Sequence, residues 1–363
     1  MKRRVKKIYN LLDKKPDVIL IKNSSEPNID DNFFYFTGLQ KGLFEGAIAI
    51  LYPDGNIDII TTELESESAK KSDANILIYK DAESYKKYLK KCMSSVKNAG
   101  LNYNGISLKN FLNLNKFFPD IIFNDISKSL MKTRLVKDEI EIDLIKKACK
   151  ISDKVMNEIP HFLNENIYEF ELAAEIDYLM QKHGADKAAF DTISSFGKNT
   201  AEPHYTHGKT KLKKADFVLC DFGACFKRYN SDITRTFIFG NASKYQKNMY
   251  KTVLEANKIG LDMTKAGLKA SDVHKEVHSF IEKTEFKGKF IHSTGHSLGR
   301  SVHDSDERIT NNSQLILEEN MVFTIEPGIY IPGFGGVRIE DDVLVKKNGV
   351  EILTKSPRNL IEI

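Results

Sequence analysis

Four acidic residues stand out in this sequence because each interrupts an apolar, strand-like run: Asp221 in FVLCDFG, Asp232 in NSDITRTFIF, Glu326 in VFTIEPGIYI and Glu340 in GGVRIEDDVLV. The runs holding Asp221 and Asp232 flank a polar stretch at 227–230, so residues 217–240 read as an antiparallel hairpin. The midpoint of the two aspartates falls between residues 226 and 227, which predicts near-opposite positions with Cβ atoms about 5 Å apart. Glu326 and Glu340 repeat the pattern about Gly333, inside the turn at 332–336. Two hairpins with matched acidic pairs predict an internal repeat with a pseudo-twofold relation. One such acid alone is more often a solvated strand residue. Four in matched pairs within apolar strands repel one another and each carries a desolvation cost. Two divalent cations would balance the four charges, and two ions about 3.5 to 4 Å apart are a common hydrolytic arrangement.

Histidines supply the next signal. His292, His296 and His303 cluster in FIHSTGHSLGRSVHDSDE, a stretch rich in Gly and Ser, while His204 and His207 lie in AEPHYTHG just before the first hairpin. A lone histidine is usually structural, but clustering beside unbalanced carboxylates favours a metal. One imidazole among four carboxylates suits manganese, cobalt, iron or zinc better than magnesium or calcium. Thr234 and Arg338 stand two residues from Asp232 and Glu340 and therefore on the same strand faces. They read either as groups that orient the acids or as an ordinary cross-strand hydroxyl bond and ion pair.

The elements that must position these residues follow from periodicity. Over the first 130 residues, DVILIK, EGAIAILYP, IDIITT, NILIY and ISL alternate with helical stretches, which predicts a mixed α/β (α+β) domain. From Asp138 onward, Ile140, Leu144, Ile145, Ala148, Ser152, Val155, Met156 and Ile159 recur at helical spacing up to Pro160. Further helices are expected at 169–183, closed by Gly184, and at 244–263 and 271–283. The expected domains are 1–130 and 131–363.

Composition narrows the class. At 363 residues the chain exceeds the usual domain of about 100 to 200 residues. Its 54 basic and 50 acidic residues leave a formal charge of only +4, spread along the chain, so a nucleic-acid partner is not expected. MKRRVKK is followed by no apolar segment, and no run approaches the roughly 20 residues of a membrane span, so neither a signal peptide nor a membrane partner is expected. Four cysteines in unrelated contexts read as reduced thiols, and the expected location is the cytoplasm.

The segments DFGACFKRYNSDITRTF, HSTGHSLGRSVHD, TIEPGIY and GGVRIEDD resemble the signature blocks of the pita-bread metallopeptidases, which include Xaa-Pro dipeptidase, aminopeptidase P and methionine aminopeptidase. The likeness runs in order over residues from about 135 to 363. It implies Asp221, Asp232, His296, Glu326 and Glu340 as metal ligands, with Glu326 also shuttling a proton. It implies His204 and His303 as catalytic residues that bind no metal and meet the substrate and tetrahedral intermediate. His207 and His292 stay open between substrate pocket and structure. Residues 1–130 resemble the creatinase-like N-terminal domain of prolidases, best at DNFFYFTGL. Methionine aminopeptidases generally lack that domain, so Xaa-Pro bonds are favoured.

The implied function is hydrolysis of the Xaa-Pro bond of dipeptides or short peptides by a hydroxide bridging two divalent ions. Manganese or cobalt is expected, with iron or zinc as alternatives, and a homodimer in which the N-terminal domain helps close a neighbouring site. The competing readings are an aminopeptidase P acting on longer Xaa-Pro peptides and a non-catalytic binding protein on the same fold. Retention of all five ligand positions disfavours the second.

Overall fold

In the computed structural model, which describes residues 1–363, the chain divides into two units, Met1–Arg134 and Leu135–Ile363. The domain boundary expected at residue 130 falls within the helix Ser127–Leu135. No helix is long and apolar enough to cross a membrane.

The first unit is one six-stranded sheet: β1 (Val18–Lys22), β2 (Ile48–Leu51), β3 (Ile57–Thr62), β4 (Asn75–Tyr79), β5 (Asn98–Leu101) and β6 (Ile122–Asp125), in the order β4-β3-β2-β1-β5-β6. Along β1, Ile19 and Ile21 enter one apolar cluster and Val18 and Leu20 another, so the strand is apolar at both parities because both faces are covered. The strand expected at ISL is a correction. Ser107 caps the helix Leu108–Phe117, its hydroxyl accepting from Asn110 N at 3.3 Å. The strand in that region is β5, whose NAGL sequence has weak β propensity but lies between β1 and β6.

In the second unit the order of elements occurs twice. The helices Glu139–Glu158 and Glu169–Lys182 precede the first strands, and Lys244–Met263 and Ala270–Glu282 precede the second set. Both long helices have 20 residues and start on capping boxes, Asp138 with Glu141 and Ser243 with Gln246. Ile140, expected on the buried face, is 57% exposed. The strands are β7 (Lys187–Ala188), β8 (Ile193–Phe196), β9 (Phe217–Phe222), β10 (Ala224–Phe226), β11 (Tyr229–Asn230), β12 (Ile233–Ile238), β13 (Gly295–His296), β14 (Arg308–Ile309), β15 (Val322–Ile325), β16 (Gly328–Ile331), β17 (Gly335–Arg338), β18 (Asp341–Lys346) and β19 (Gly349–Ile352). β12-β9-β8 and β15-β18-β19 are three-stranded sheets, each holding the outer arms of one hairpin, with the third strand against the first arm in one and the last arm in the other.

Register decides which acids meet. In the second hairpin β16 and β17 pair Gly328 with Arg338, and β15 and β18 pair Val322 with Leu344. The same register puts Glu326 opposite Glu340 at the interruption between the two ladders. The first hairpin differs from expectation. Cys225 pairs with Asn230 and Asp221 with Thr234, so Asp232 is offset from Asp221 by two residues rather than facing it. The turn centre is Lys227-Arg228, with φ of 49° and 66°, a two-residue turn of the type usually built from Asn-Gly. The turn lies within the polar stretch 227–230, but its centre is one residue beyond the midpoint of the aspartates, and nothing in the residue types of Lys-Arg announces left-handed backbone there. Between β9 and β10, Gly223 is obligatory, because a Cβ there would lie 1.9 Å from the Ser231 carbonyl oxygen.

The two hairpins are tied together by Arg235, only 2% exposed. Its Nη1 donates to the carbonyls of Thr234 and Glu340 at 2.9 and 2.5 Å, Nη2 to Asp341 Oδ1 and Ser356 O at 2.7 and 2.8 Å, and Nε to Pro357 O at 3.0 Å. Arg235→Leu leaves Asp341 without this partner and frees these carbonyls, and removing one partner of a buried pair typically costs about 3 to 5 kcal/mol. Chemical denaturation followed by fluorescence of a probe in the second unit should show a loss of that order. A change within about 0.5 kcal/mol, ordinary for a surface site, would contradict it.

Candidate metal centre

Asp221, Asp232, His296, Glu326 and Glu340 all line one cavity of about 720 Å³, together with His204, His292, His303, Arg308 and Arg338. The carboxylates arrive from β9, from the break between β11 and β12, and from the breaks flanking β16 and β17; His296 ends β13. Hydrogen bonds across the hairpins fix the breaks: Glu340 N donates to Thr234 O at 3.1 Å, Glu326 N to Thr294 O at 2.8 Å, and Asp232 N to Asp342 Oδ2 at 2.8 Å.

The acids are gathered beyond what their hydrogen bonds compensate. Arg338 Nη2 donates to Asp221 Oδ2 at 2.5 Å and Nε to Thr234 Oγ1 at 3.0 Å, and Thr234 Oγ1 donates to Glu340 Oε2 at 2.6 Å. Asp221 Oδ1 is buried with no hydrogen-bond partner. Burial, and then the charges of Glu340 and Asp221, push Asp232 well above the usual carboxylate range. Burial followed by Glu326 and Asp221 does the same to Glu340. Burial raises Glu326 to about 7 despite the opposing pull of Arg338.

His296 faces the same acids. Its Nδ1 lies 3.4 Å from the Ser297 carbonyl oxygen, which can only accept, so the ring proton belongs on Nδ1. Nε2 then presents a lone pair toward Asp232 Oδ2 at 3.6 Å and Glu326 Oε1 at 3.5 Å. Burial, followed by the neighbouring His303, lowers the imidazole to about 3, so it is neutral near pH 7. A lone pair facing carboxylate oxygens is repulsive unless a proton or a metal cation lies between them. One ligand atom each from Asp232, His296 and Glu340 lie within 4.8 Å of one another. The orphaned oxygen, the neutral imidazole and the oxygen-rich donors fit divalent metal.

The other expected residues divide. His204 and His303 are on the exposed cavity wall, with the His303 ring 4.2 Å from that of His296, centroid to centroid, at 70°. His292 is also on the wall and ends a chain: Arg338 Nη1 donates to Tyr330 OH at 2.9 Å, Tyr330 OH is 2.9 Å from His292 Nε2, and His292 Nδ1 is 2.8 Å from Ser293 O. His207 instead bonds to Thr192 O at 3.0 Å and is absent from the cavity lining. Thr234 is fully buried behind the acids, bridging Arg338 and Glu340.

Several supports of the site leave little or no trace in the sequence. Asp342, which orients Asp232 through its backbone, had a faint signal in the doubled acids of IEDD. Glu169 had none. Its fully buried carboxylate accepts from Phe196 N, Asn199 Nδ2, Tyr205 OH and Gly208 N at 2.9 to 3.1 Å, holding the loop that carries His204.

Comparison with known proteins agrees with this architecture. Residues 143–347 match the model of metallopeptidase family M24, and residues 4–136 that of the creatinase/prolidase N-terminal domain. The Xaa-Pro dipeptidase of Pyrococcus horikoshii is 37% identical over 99% of both chains. The crystal structure of X-Pro aminopeptidase from Thermotoga maritima superposes with a TM-score of 0.91 at 33% identity, covering 96% of this chain and 98% of that one. Xaa-Pro dipeptidase from Bacillus anthracis gives 0.91 at 30% identity, covering 100% and 99%. A creatinase-like N-terminal domain followed by a metallopeptidase domain is therefore the fold.

The raised carboxyls predict a proton signal. Metal requires them ionised, so binding must release protons. Calorimetric titration of metal-free protein with manganese at pH 6.5, in buffers of different ionisation enthalpy, should show release of about one proton or more per chain, and affinity should rise with pH. No release, or weaker binding as pH rises through 7, would contradict the raised carboxyls.

Proposed function

The chain belongs to metallopeptidase family M24, and from that premise we propose that it hydrolyses the Xaa-Pro bond of dipeptides or short peptides at a centre of two divalent ions. Asp221, Asp232, His296, Glu326 and Glu340 would hold them. The observation that carries the reading is a set of four carboxylates, Asp221, Asp232 and Glu340 buried and Glu326 partly so, facing one neutral imidazole, with Asp221 Oδ1 left without a partner. When bound, the ions supply Lewis acidity and lower the pKa of water toward 7.

The chain's own residues supply the rest. Glu326, held by the Thr324 hydroxyl at 3.2 Å, faces the cavity where it can move a proton between water and the departing amine. His204 and His303, on the open wall, donate to the oxygen that becomes negative as the carbonyl is attacked. Thr234 and Arg338 fix the orientation of Glu340 and Asp221. The exposed Arg308 guanidinium suits the free carboxylate of a dipeptide, and Phe190, Ile193 and Val302 give the substrate an apolar wall.

Imidazole with carboxylates suits manganese or cobalt, with iron or zinc as alternatives. A homodimer in the cytoplasm, with peptide rather than nucleic acid as its partner, completes the proposal. Longer Xaa-Pro peptides form the second reading, favoured by the likeness to the Thermotoga maritima X-Pro aminopeptidase over nearly the whole chain.

The test is an assay of metal-loaded protein with a Xaa-Pro dipeptide, a Xaa-Pro tripeptide and a Met-Ala tripeptide. Cleavage of the Xaa-Pro substrates, with the dipeptide preferred, is expected. Chelation should abolish it, manganese or cobalt should restore it, and His296→Ala should lower metal content. Full turnover after metal removal verified by elemental analysis contradicts the metal reading; cleavage of Met-Ala alone contradicts the substrate reading.

A further inference from the structure

His303 lies in residues 297–307, a stretch almost without regular structure. Such a segment must satisfy its backbone polar groups somewhere. Here a single carboxylate takes much of that role. Asp304 Oδ1 accepts from Arg300 N and Ser301 N, both at 3.1 Å, and Asp304 Oδ2 accepts from Lys137 Nζ at 3.0 Å. The side chains of Lys137 and Asp304 are 0% and 2% exposed. Asp304 N donates back to Ser297 O at 3.0 Å, and the Ser297 and Ser305 hydroxyls meet at 2.7 Å.

Lys137 is itself fixed to the strand system. Its N donates to Asn320 O at 2.9 Å, and Val136 bridges Met321, immediately before β15, the strand that leads to Glu326. Gly299 shows how tightly the loop closes on the pair: a Cβ there would lie 2.5 Å from Asp304 Oδ2 and 3.1 Å from Lys137 Nζ.

We propose that the buried Lys137–Asp304 ion pair is the positioning device for His303, setting where its ring stands beside His296. Lys137 and Asp304 touch no substrate and act through the histidine. The inference rests on the reading of His303 as catalytic. Burying two charges is costly, and apolar packing of the same volume would stabilise the unit about as well; what the pair adds is direction. An error of about 1 Å in a catalytic group can cost roughly 100-fold in rate.

The experiment is a double-mutant cycle on the full, metal-loaded chain, reading kcat, KM and metal content with a Xaa-Pro dipeptide. Lys137→Met should lower kcat by roughly 10- to 100-fold with KM and metal content near wild type. His303→Ala should lower it at least as far. In the His303→Ala background, Lys137→Met should change kcat by no more than about twofold, because the group it positions is gone. If Lys137→Met does not fold, Gly299→Ala, which keeps both charges and displaces the carboxylate, enters the same cycle. An equal fall in kcat in both backgrounds, a loss of metal with the loss of rate, or a normal kcat in the anchor variant each overturns the proposal. A normal kcat in His303→Ala overturns it too, while chelation sensitivity in that variant would leave the metal reading intact.

Discussion

Like charge held out of water is the constraint around which the second unit is built. Asp221, Asp232, Glu326 and Glu340 face one cavity, and no arrangement of four ionised carboxylates there is stable without compensating charge. The fold brings the acids together from two hairpins, each following its own pair of helices, so repeating one supersecondary plan doubles the number of acids at the shared face. Neither hairpin alone assembles the set.

Because the acids repel, the groups around them must be stiff. Arg338, Thr234 and Glu340 form one hydrogen-bonded series that starts at Asp221, and Arg235 on the other side of the same strand clamps the backbone carbonyls of Thr234 and Glu340. The two arginines divide the work: Arg338 offsets charge inside the cavity, whereas Arg235 offsets Asp341 behind it. The remaining imbalance appears in Asp232, Glu340 and Glu326, which burial forces upward. Loops then contribute the exposed histidines, each loop held by a buried carboxylate, Glu169 for His204 and Asp304 for His303.

What could be read from the sequence follows the range of the interactions. The helix Lys244–Met263 was legible to the residue because its capping box and periodicity are local. The second hairpin was legible because a glycine-rich turn marks its centre. The first was legible as a hairpin about 227–230, but not the pairing of its aspartates, because Lys227 and Arg228 adopt positive φ without the residue types that announce it. β5 was hidden by its poor intrinsic propensity, which burial between neighbours overrides. Arg235 and Asp341 are 106 residues apart, and Lys137 and Asp304 are 167 apart; such pairs leave no periodic trace. The four acids were legible because a carboxylate within an apolar strand is anomalous by itself, and His296 only through the family resemblance; all five positions line the cavity.

The central claim is that the excess negative charge of this cavity exists to hold divalent metal. Anomalous diffraction from manganese-loaded crystals tests it most directly. The account predicts two anomalous peaks inside the cavity, contacted by Asp221, Asp232, His296, Glu326 and Glu340 and lost on Asp232→Asn substitution. A cavity without anomalous density at saturating manganese, or peaks confined to other sites, would contradict it.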